Sequence, residues 1–160
     1  YILVHAETKY RGEKMDISDT AKLNLAIVHG SHGYDYWDQT HGMTSYLSMI
    51  LYELTIRKKL TQKQLVDLTD LPKQSINKGI KQLIESGYLS MTVDPQDKRV
   101  RFCELTPTGE KFAHEKLYSL FEIEDKTAKK LGKEKMKQLT ALNEEWSNTF
   151  WHFLTEERSN

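Results

Sequence analysis

Residues 61–106 read TQKQLVDLTDLPKQSINKGIKQLIESGYLSMTVDPQDKRVRFCELT, and this stretch decides the fold. Thr61-Gln62-Lys63-Gln64 has the form of a capping box, in which a Thr hydroxyl and a Gln side chain satisfy each other's free backbone N–H groups. The spacing predicts a helix to about Thr69, with Leu65 and Leu68 inward. Asp70-Leu71-Pro72 is a short turn, and Pro72 suits a helix start, where its missing N–H costs nothing. The next helix runs to Ser86, with Ile76, Ile80, Leu83 and Ile84 buried and Gly87 as its stop. Its opposite face carries Lys73, Gln74, Asn77, Lys78 and Lys81. The period then changes. Tyr88 to Val93 and Arg99 to Leu105 alternate as strands do, and Asp94-Pro95-Gln96-Asp97 between them is turn chemistry. A β-hairpin follows, with Lys98 and Arg99 near its tip.

Outward from this block the chain reads as helix. Thr106-Pro107 pairs a capping residue with Pro at the first helical position, opening a helix to about Lys130. Gly132 interrupts it. A last helix, about Lys133 to Glu156, carries Met136, Leu139, Leu142, Trp146, Phe150 and Phe153 at spacings of three or four. So wide an aromatic stripe must be covered, and a partner chain is the expected cover. On the N-terminal side, Thr44 to Lys59 is a helix with Leu47, Ile50, Leu51 and Leu54 on one face. Arg57, Lys58 and Lys59 sit at its negative dipole end. Ile17 to His29 has helical spacing at Ile17, Ala21, Leu25 and Val28; Ser18 or Asp19 can cap it, and Gly30 can end it. Ser31 to Gly42 then reads as a loop or a broken helix. The chain opens on Tyr1 rather than Met, and residues 1–12 carry little weight in the reading.

Net charge is zero, with 23 basic and 23 acidic side chains in 160 residues, so total charge announces no nucleic-acid partner. The distribution does. From Arg57 to Arg101 ten basic side chains face five acidic ones, leaving this middle at +5 and the rest at −5. One segment suited to phosphate between acidic ends is the pattern of a nucleic-acid binder. At 38% hydrophobic and 29% charged, the chain is lean in core and is expected to complete it with a second subunit. The single cysteine, Cys103, excludes an intrachain disulfide and fits a reducing, cytoplasmic setting. Tyr1 to Val4, the longest N-terminal apolar run, is too short for a signal peptide or a membrane span.

Helix, tight turn, helix and hairpin in this order make a winged helix-turn-helix. The second helix fits the major groove and offers polar side chains to base edges. The hairpin, or wing, can lay an arginine in the neighbouring minor groove, and lysines on phosphates fix register. The stretch from about Met43 to Phe112 resembles the MarR family of regulators. That family's wing signature is Asp, one residue, Arg, five residues, Leu-Thr, two residues, Gly. It reads here as Asp97-Lys98-Arg99 and then Leu105-Thr106-Pro107-Thr108-Gly109, without a gap. Leu60-Thr61-Gln62, Pro72 to Lys78, and Leu83-Ile84-Glu85-Ser86-Gly87-Tyr88-Leu89 are similar to the family's helix-turn-helix and its entry to the wing.

The resemblance implies a minor-groove role for Arg99, a wing held by Asp97 pairing with a nearby arginine, and major-groove contacts from Lys73, Gln74, Ser75, Asn77 and Lys78. Lys81, Lys98 and Arg101 complete the expected DNA-contacting set. It also implies a homodimer built from the first and last helices, and a small-molecule effector pocket. Pro72 and Gln74 depart from the small hydroxyl residues common there, and Gly79 lies inside the recognition helix, where it costs about 1 kcal/mol against Ala. The operator therefore does not follow by analogy.

His29 to His41 holds three histidines, two aspartates and three aromatics. Tyr34, Trp37 and His41 are its candidate effector-pocket residues, weighed against simple interface packing. His29 and His32 have a spacing that could share a metal, but Gly30 and Gly33 argue against a rigid helix there. Cys103 lies on a wing strand with no second cysteine, so it reads as a small hydrophobe rather than a redox sensor. No phosphate loop, nucleophile elbow or zinc-protease motif suggests an enzyme, and no cofactor is implied.

The expected fold is mostly α (α+β): a winged helix-turn-helix with a two-stranded wing, and terminal helices forming a homodimer interface. Residues 1–42 form an N-terminal dimerisation segment, 43–112 the DNA-binding lobe and 113–160 the C-terminal dimerisation helices. The expected function is repression at a pseudo-palindromic duplex operator, relieved by a small-molecule effector. Two alternatives stand beside it: a metal- or haem-responsive regulator using the loop histidines, and a winged-helix adaptor without DNA contact.

Overall fold

The computed structural model describes residues 17–157, so Tyr1 to Val4 and residues 1–12 lie outside the described residues. The chain divides between Ser45 and Tyr46 into two compact units.

The first unit holds one long helix, α1 (Asp19–Thr40). Of the two caps offered by the sequence, Ser18 is the one used, its hydroxyl accepting from the Ala21 N–H at 3.2 Å. The expected end at Gly30 is not there: α1 runs on through Gly30 and Gly33 to Thr40. Neither glycine takes positive φ, whereas Gly42 does, at +63°, and the helix stops just before it. Glycine within a helix costs only about 1 kcal/mol, and the backbone ladder carries α1 across both positions. The expectation of a loop over Ser31 to Gly42 is corrected accordingly. Leu25 and Val28 of the expected apolar face are about half exposed.

The second unit begins along α2 (Ser45–Arg57), whose Ile50, Leu51 and Leu54 are almost wholly buried. The helix ends at Lys58 in a left-handed conformation, φ +67°. Beyond it lies β1 (Lys59–Thr61), where the sequence predicts the helix to continue. A strand of three residues is too short for alternation to show. Then come α3 (Gln62–Thr69), α4 (Lys73–Glu85), β2 (Leu89–Val93), β3 (Arg101–Leu105), α5 (Pro107–Leu131) and α6 (Lys133–Glu157). The three strands form one antiparallel sheet in the order β1-β3-β2. Leu60 and Met91 both pair with Cys103, which is fully buried at the sheet's centre.

The core of this unit joins α2 to Leu65 of α3, Ile76, Ile80 and Leu83 of α4, and Ala113, Leu117 and Leu120 of α5. Two expected core residues are exposed instead, Leu68 at 42% and Ile84 at 41%. The helix turn explains both. Side chains advance by about 100° per residue, so Thr69 stacks over Leu65 better than Leu68 does. Thr69 is buried, its hydroxyl donating to the Leu65 carbonyl at 2.7 Å. Ile84 likewise stands a quarter turn round from buried Leu83.

Thr106 caps α5 through the Gly109 N–H at 3.0 Å, with Pro107 at the first helical position. Gly132, φ +84°, breaks α5 from α6. No residue of α6 is buried within the chain; Leu139, Leu142, Phe150, Trp151 and Phe153 are each more than half exposed. No helix among the described residues is long and apolar enough to cross a membrane.

Candidate nucleic-acid interface

Helices α3 and α4 are joined by a tight turn built as the sequence predicts. Gln64 N donates to the Thr61 hydroxyl at 3.1 Å and Thr61 N donates to Gln64 Oε1 at 2.8 Å, completing the capping box. Asp70 turns the chain in a left-handed conformation, φ +55°, which Asp tolerates better than most residues. Pro72 occupies the cap of α4 and supplies no side-chain hydrogen bond there. The Ser75 and Ile76 N–H groups instead turn back to the Pro72 carbonyl, at 2.8 and 3.2 Å, at the positive end of the helix dipole.

Helix α4 has two unlike faces. Ile76, Gly79, Ile80 and Leu83 are buried, while Lys73, Gln74, Asn77, Lys78 and Lys81 are exposed and Ser75 is half-buried. Gly79 is explained by its neighbours: a Cβ there would stand 2.6 Å from Ile50 Cδ1 and 2.9 Å from the Tyr46 ring. The polar face has internal order. The Lys78 ammonium lies over the Tyr46 ring at 5.5 Å from its centroid, a cation–π geometry. Gln62, the first residue of α3, donates through Nε2 to Oδ1 of Asn77. Lys81 reaches Glu85 at 3.7 Å, an exposed pair that contributes little.

The wing loop, residues 94–100, is closed by its own backbone. Asp94 N donates to Val100 O at 3.0 Å and Val100 N to Asp97 O at 2.9 Å. The Asp97 carboxylate accepts the Arg99 backbone N–H at 2.9 Å. The partner found for Asp97 is thus the loop backbone beside Arg99. Lys98, Arg99 and Arg101 are all exposed. Among the described residues these three and Lys73 stand in no ion pair.

The sheet beneath the wing is braced by charge. Lys59 of β1 meets Glu104 of β3 at 2.7 Å, and Thr92 of β2 donates to the same carboxylate at 2.9 Å. These hydrogen bonds, the one from Lys59 foremost, hold the Glu104 carboxyl below its ordinary range. Lys59 also lies over the Phe102 ring at 4.7 Å. At the wing's base, Thr106 donates through its hydroxyl to Gly87 O at 2.7 Å and through its N–H to Tyr88 O at 3.0 Å. The Leu-Thr-x-x-Gly run is therefore a clasp that ties β3 and α5 to the end of α4.

The residues of the N-terminal segment have a separate arrangement. Tyr34, Trp37 and His41 recur at helical spacing on α1 and its cap. Trp37 is buried, and the His41 ring stacks on it with centroids 4.4 Å apart. His41 Nδ1 also lies 2.9 Å from the Trp37 carbonyl, while Tyr34 is about half exposed. His29 and His32 are exposed on α1. Among the described residues no group of three or more His, Cys, Asp or Glu stands ready to hold a metal.

Sequence reasoning missed Gln62, Tyr46 and Lys59. Gln62 follows the cap Thr61 and was legible as a first-turn residue, but its reach across to α4 needs the packing angle of the two helices. Nothing in the sequence ties Tyr46 to Lys78.

Residues 41–100 match the model of the MarR family. No curated protein matches the chain in sequence. Among solved structures the chain is similar to NMB1585, a MarR family regulator from Neisseria meningitidis. Identity is 25% and the TM-score 0.76, with 88% of this chain and 99% of that one covered. It is similar in fold to NadR in complex with 4-hydroxyphenylacetate, at 22% identity and TM-score 0.66, covering 87% of this chain and 96% of that one. It is also similar in fold to Bordetella bronchiseptica BpsR, described with a mechanism for regulation of its DNA binding by 6-hydroxynicotinic acid. There identity is 18% and the TM-score 0.61, covering 85% of this chain and 97% of that one.

Proposed function

We propose that this chain, whose residues 41–100 match the MarR family model, belongs to that family, binds duplex DNA as a homodimer and represses transcription from a pseudo-palindromic operator. The division of α4 carries the reading. One face is sunk in the core, and the other offers Lys73, Gln74, Asn77, Lys78 and Lys81 to the outside. Such a helix is held rigidly and reads with what is left over, the requirement for docking in a major groove. Ser75 borders that face. Lys98, Arg99 and Arg101 extend the cationic surface onto the wing, and Arg99 enters the minor groove, where the potential is most negative. Exposed cations without acidic partners are the ones free to exchange counterions for phosphates.

The apolar stripe of α6 supplies the dimer seam together with α1. Twofold pairing sets two copies of α4 on half-sites about one helical turn, ~34 Å, apart. A small molecule that binds better when the two copies of α4 are misplaced draws the dimer off DNA. Support for such a ligand comes from the likeness to NadR and BpsR, whose named ligands are small aromatic acids. Tyr34, Trp37 and His41 are the aromatic residues proposed to meet it.

The test is binding to a fragment from upstream of the chain's own gene, followed by fluorescence anisotropy. Between about 50 and 200 mM salt the affinity should fall by about 10³-fold or more, linearly on logarithmic axes. Arg99→Ala should weaken binding and flatten the slope by about one unit. Binding that ignores both salt and Arg99→Ala would overturn the reading in favour of a protein-interaction adaptor.

A further inference from the structure

The apolar stripe of α6 is symmetric about one residue. Leu139, Leu142, Trp146, Phe150 and Phe153 follow one another at steps of three, four, four and three residues. Leu139 and Phe153 stand seven residues either side of Trp146, and Leu142 and Phe150 stand four. Four steps over 14 residues average 3.5, the period at which a helix keeps one seam turned to a second helix. Within the chain the stripe is open. Leu139, Leu142, Phe150 and Phe153 are each more than half exposed, and half-buried Trp146 stacks its ring on Phe150 with centroids 6.2 Å apart.

The charges at the ends of the stripe share its symmetry and oppose their own helix. Lys135 stands four residues before Leu139 and Glu157 four beyond Phe153, so both continue the stripe, and each is 11 residues from Trp146. Both are exposed, and among the described residues neither stands in an ion pair. A helix favours anions at its N-terminus and cations at its C-terminus. Helix α6 instead has Lys133 and Lys135 in its first turn and Glu156 and Glu157 in its last. Glu134 is the one favourable charge at the start, and it stands off the stripe, on the side of Gln138 and Ala141. Glu156 lies 3.4 Å from His152 of the preceding turn.

We infer that α6 pairs antiparallel with the α6 of a second copy about a twofold axis passing Trp146, so that Leu139 meets Phe153, Leu142 meets Phe150 and Lys135 meets Glu157. This deepens the homodimer reading given above and rests on it. A twofold interface requires that if one residue faces a second, the second faces the first in return. A stripe with mirrored spacing meets that requirement along its whole length. Parallel pairing would set Lys135 against Lys135 and Glu157 against Glu157, like charges at both ends. Antiparallel pairing sets opposite charges there and opposes the two helix dipoles, so each copy relieves the placement that the other's charges lack within their own helix.

The experiment is cysteine cross-linking of the full chain, whose single native cysteine, Cys103, is fully buried. Light scattering first establishes that the chain and each variant are dimers. Trp146→Cys should then give a covalent dimer with a short thiol cross-linker. Leu139→Cys and Phe153→Cys should each fail alone, because about 21 Å of helix separates the two copies of either position. The double variant Leu139→Cys/Phe153→Cys should link between chains, since the same distance bars a link within one helix. A dimer in which Leu139→Cys links to itself, or in which the double variant does not link, overturns the inference and leaves the homodimer standing. An unsubstituted chain that is monomeric removes both readings. A second measurement leaves the stripe untouched. Lys135→Glu should raise the dimer dissociation constant about tenfold, the scale of two exposed ion pairs turned repulsive, and adding Glu157→Lys should restore it. Both changes suit the dipole of α6, so the helix stays folded. A double variant no tighter than Lys135→Glu alone overturns the register.

Discussion

A Cβ on Gly109 would stand 1.8 Å from the carbonyl oxygen of Tyr88 and 2.7 Å from its carbonyl carbon. The first turn of α5 thus lies directly on the backbone that leads from α4 into the wing. The Tyr88 ring stacks on Phe112 one turn later, with centroids 4.1 Å apart. Because the obstruction is backbone, no rotamer change relieves it.

Gly109→Ala should therefore destabilise the protein by about 1–3 kcal/mol, the usual cost of overpacking, despite the higher helix propensity of Ala. Urea denaturation reads this directly. A variant as stable as the parent would mean that α5 does not lie this close to Tyr88.

Gly79→Ala poses a gentler version of the same conflict. Its Cβ would meet Ile50 Cδ1 at 2.6 Å and the Tyr46 ring at 2.9 Å, side-chain atoms that can give way. The propensity gain of up to about 1 kcal/mol should be cancelled or exceeded by overpacking, for a net loss of ~1 kcal/mol. Thermal unfolding checks the sign, and a rise in Tm would show that α4 does not pack as closely as described.

Cys103 should make stability fall at alkaline pH. Burial raises its thiol pKa from 9.0 to about 11. The unfolded chain loses this proton first, so the folded state holds more protons between these two values. The contribution is complete below about pH 9 and declines as pH rises toward about 11. Cys103→Ala should lose this part of the pH slope, in a comparison that cancels the tyrosines and lysines. Identical slopes in the two proteins would place the thiol in solvent.

The outer face of α6 should hold two copies of the chain together. Leu142 is 65% exposed and Phe150 53% exposed within the single chain. Charges placed in an apolar seam stay unpaired and cost several kcal/mol per site. Leu142→Asp combined with Phe150→Asp should halve the molar mass measured by light scattering. An unchanged mass would assign the seam to other residues.

The lobe from α3 to the start of α5 was legible because each boundary has its own chemical mark. Thr61 and Gln64 cap one helix, Thr106 and Pro107 open another, and Gly87 releases the chain into β2. What escaped the sequence is of two kinds. The ladder of α1 overrides two glycines that locally favour a break, and Lys58 ends α2 in a conformation its side chain does not advertise. The links of Gln62 to Asn77 and Lys78 to Tyr46 depend on how helices cross, which periodicity does not encode. The exposed cations of α4 and the wing were readable one by one; that Lys81 reaches Glu85 while Lys73, Lys98, Arg99 and Arg101 stand in no ion pair among the described residues was not.

Strand β1 spans only Lys59 to Thr61, pairing with Phe102 to Glu104. The hairpin is therefore three strands wide at its root and only two wide from Arg101 outward. It behaves as a cantilever: stiff where Lys59 and Glu104 clamp it, compliant where nothing flanks it. A load applied near Arg99 bends the outer span, and Leu60 and Cys103 stay seated. The tip can follow the contour of whatever it touches while the hydrophobic interior behind it keeps its shape.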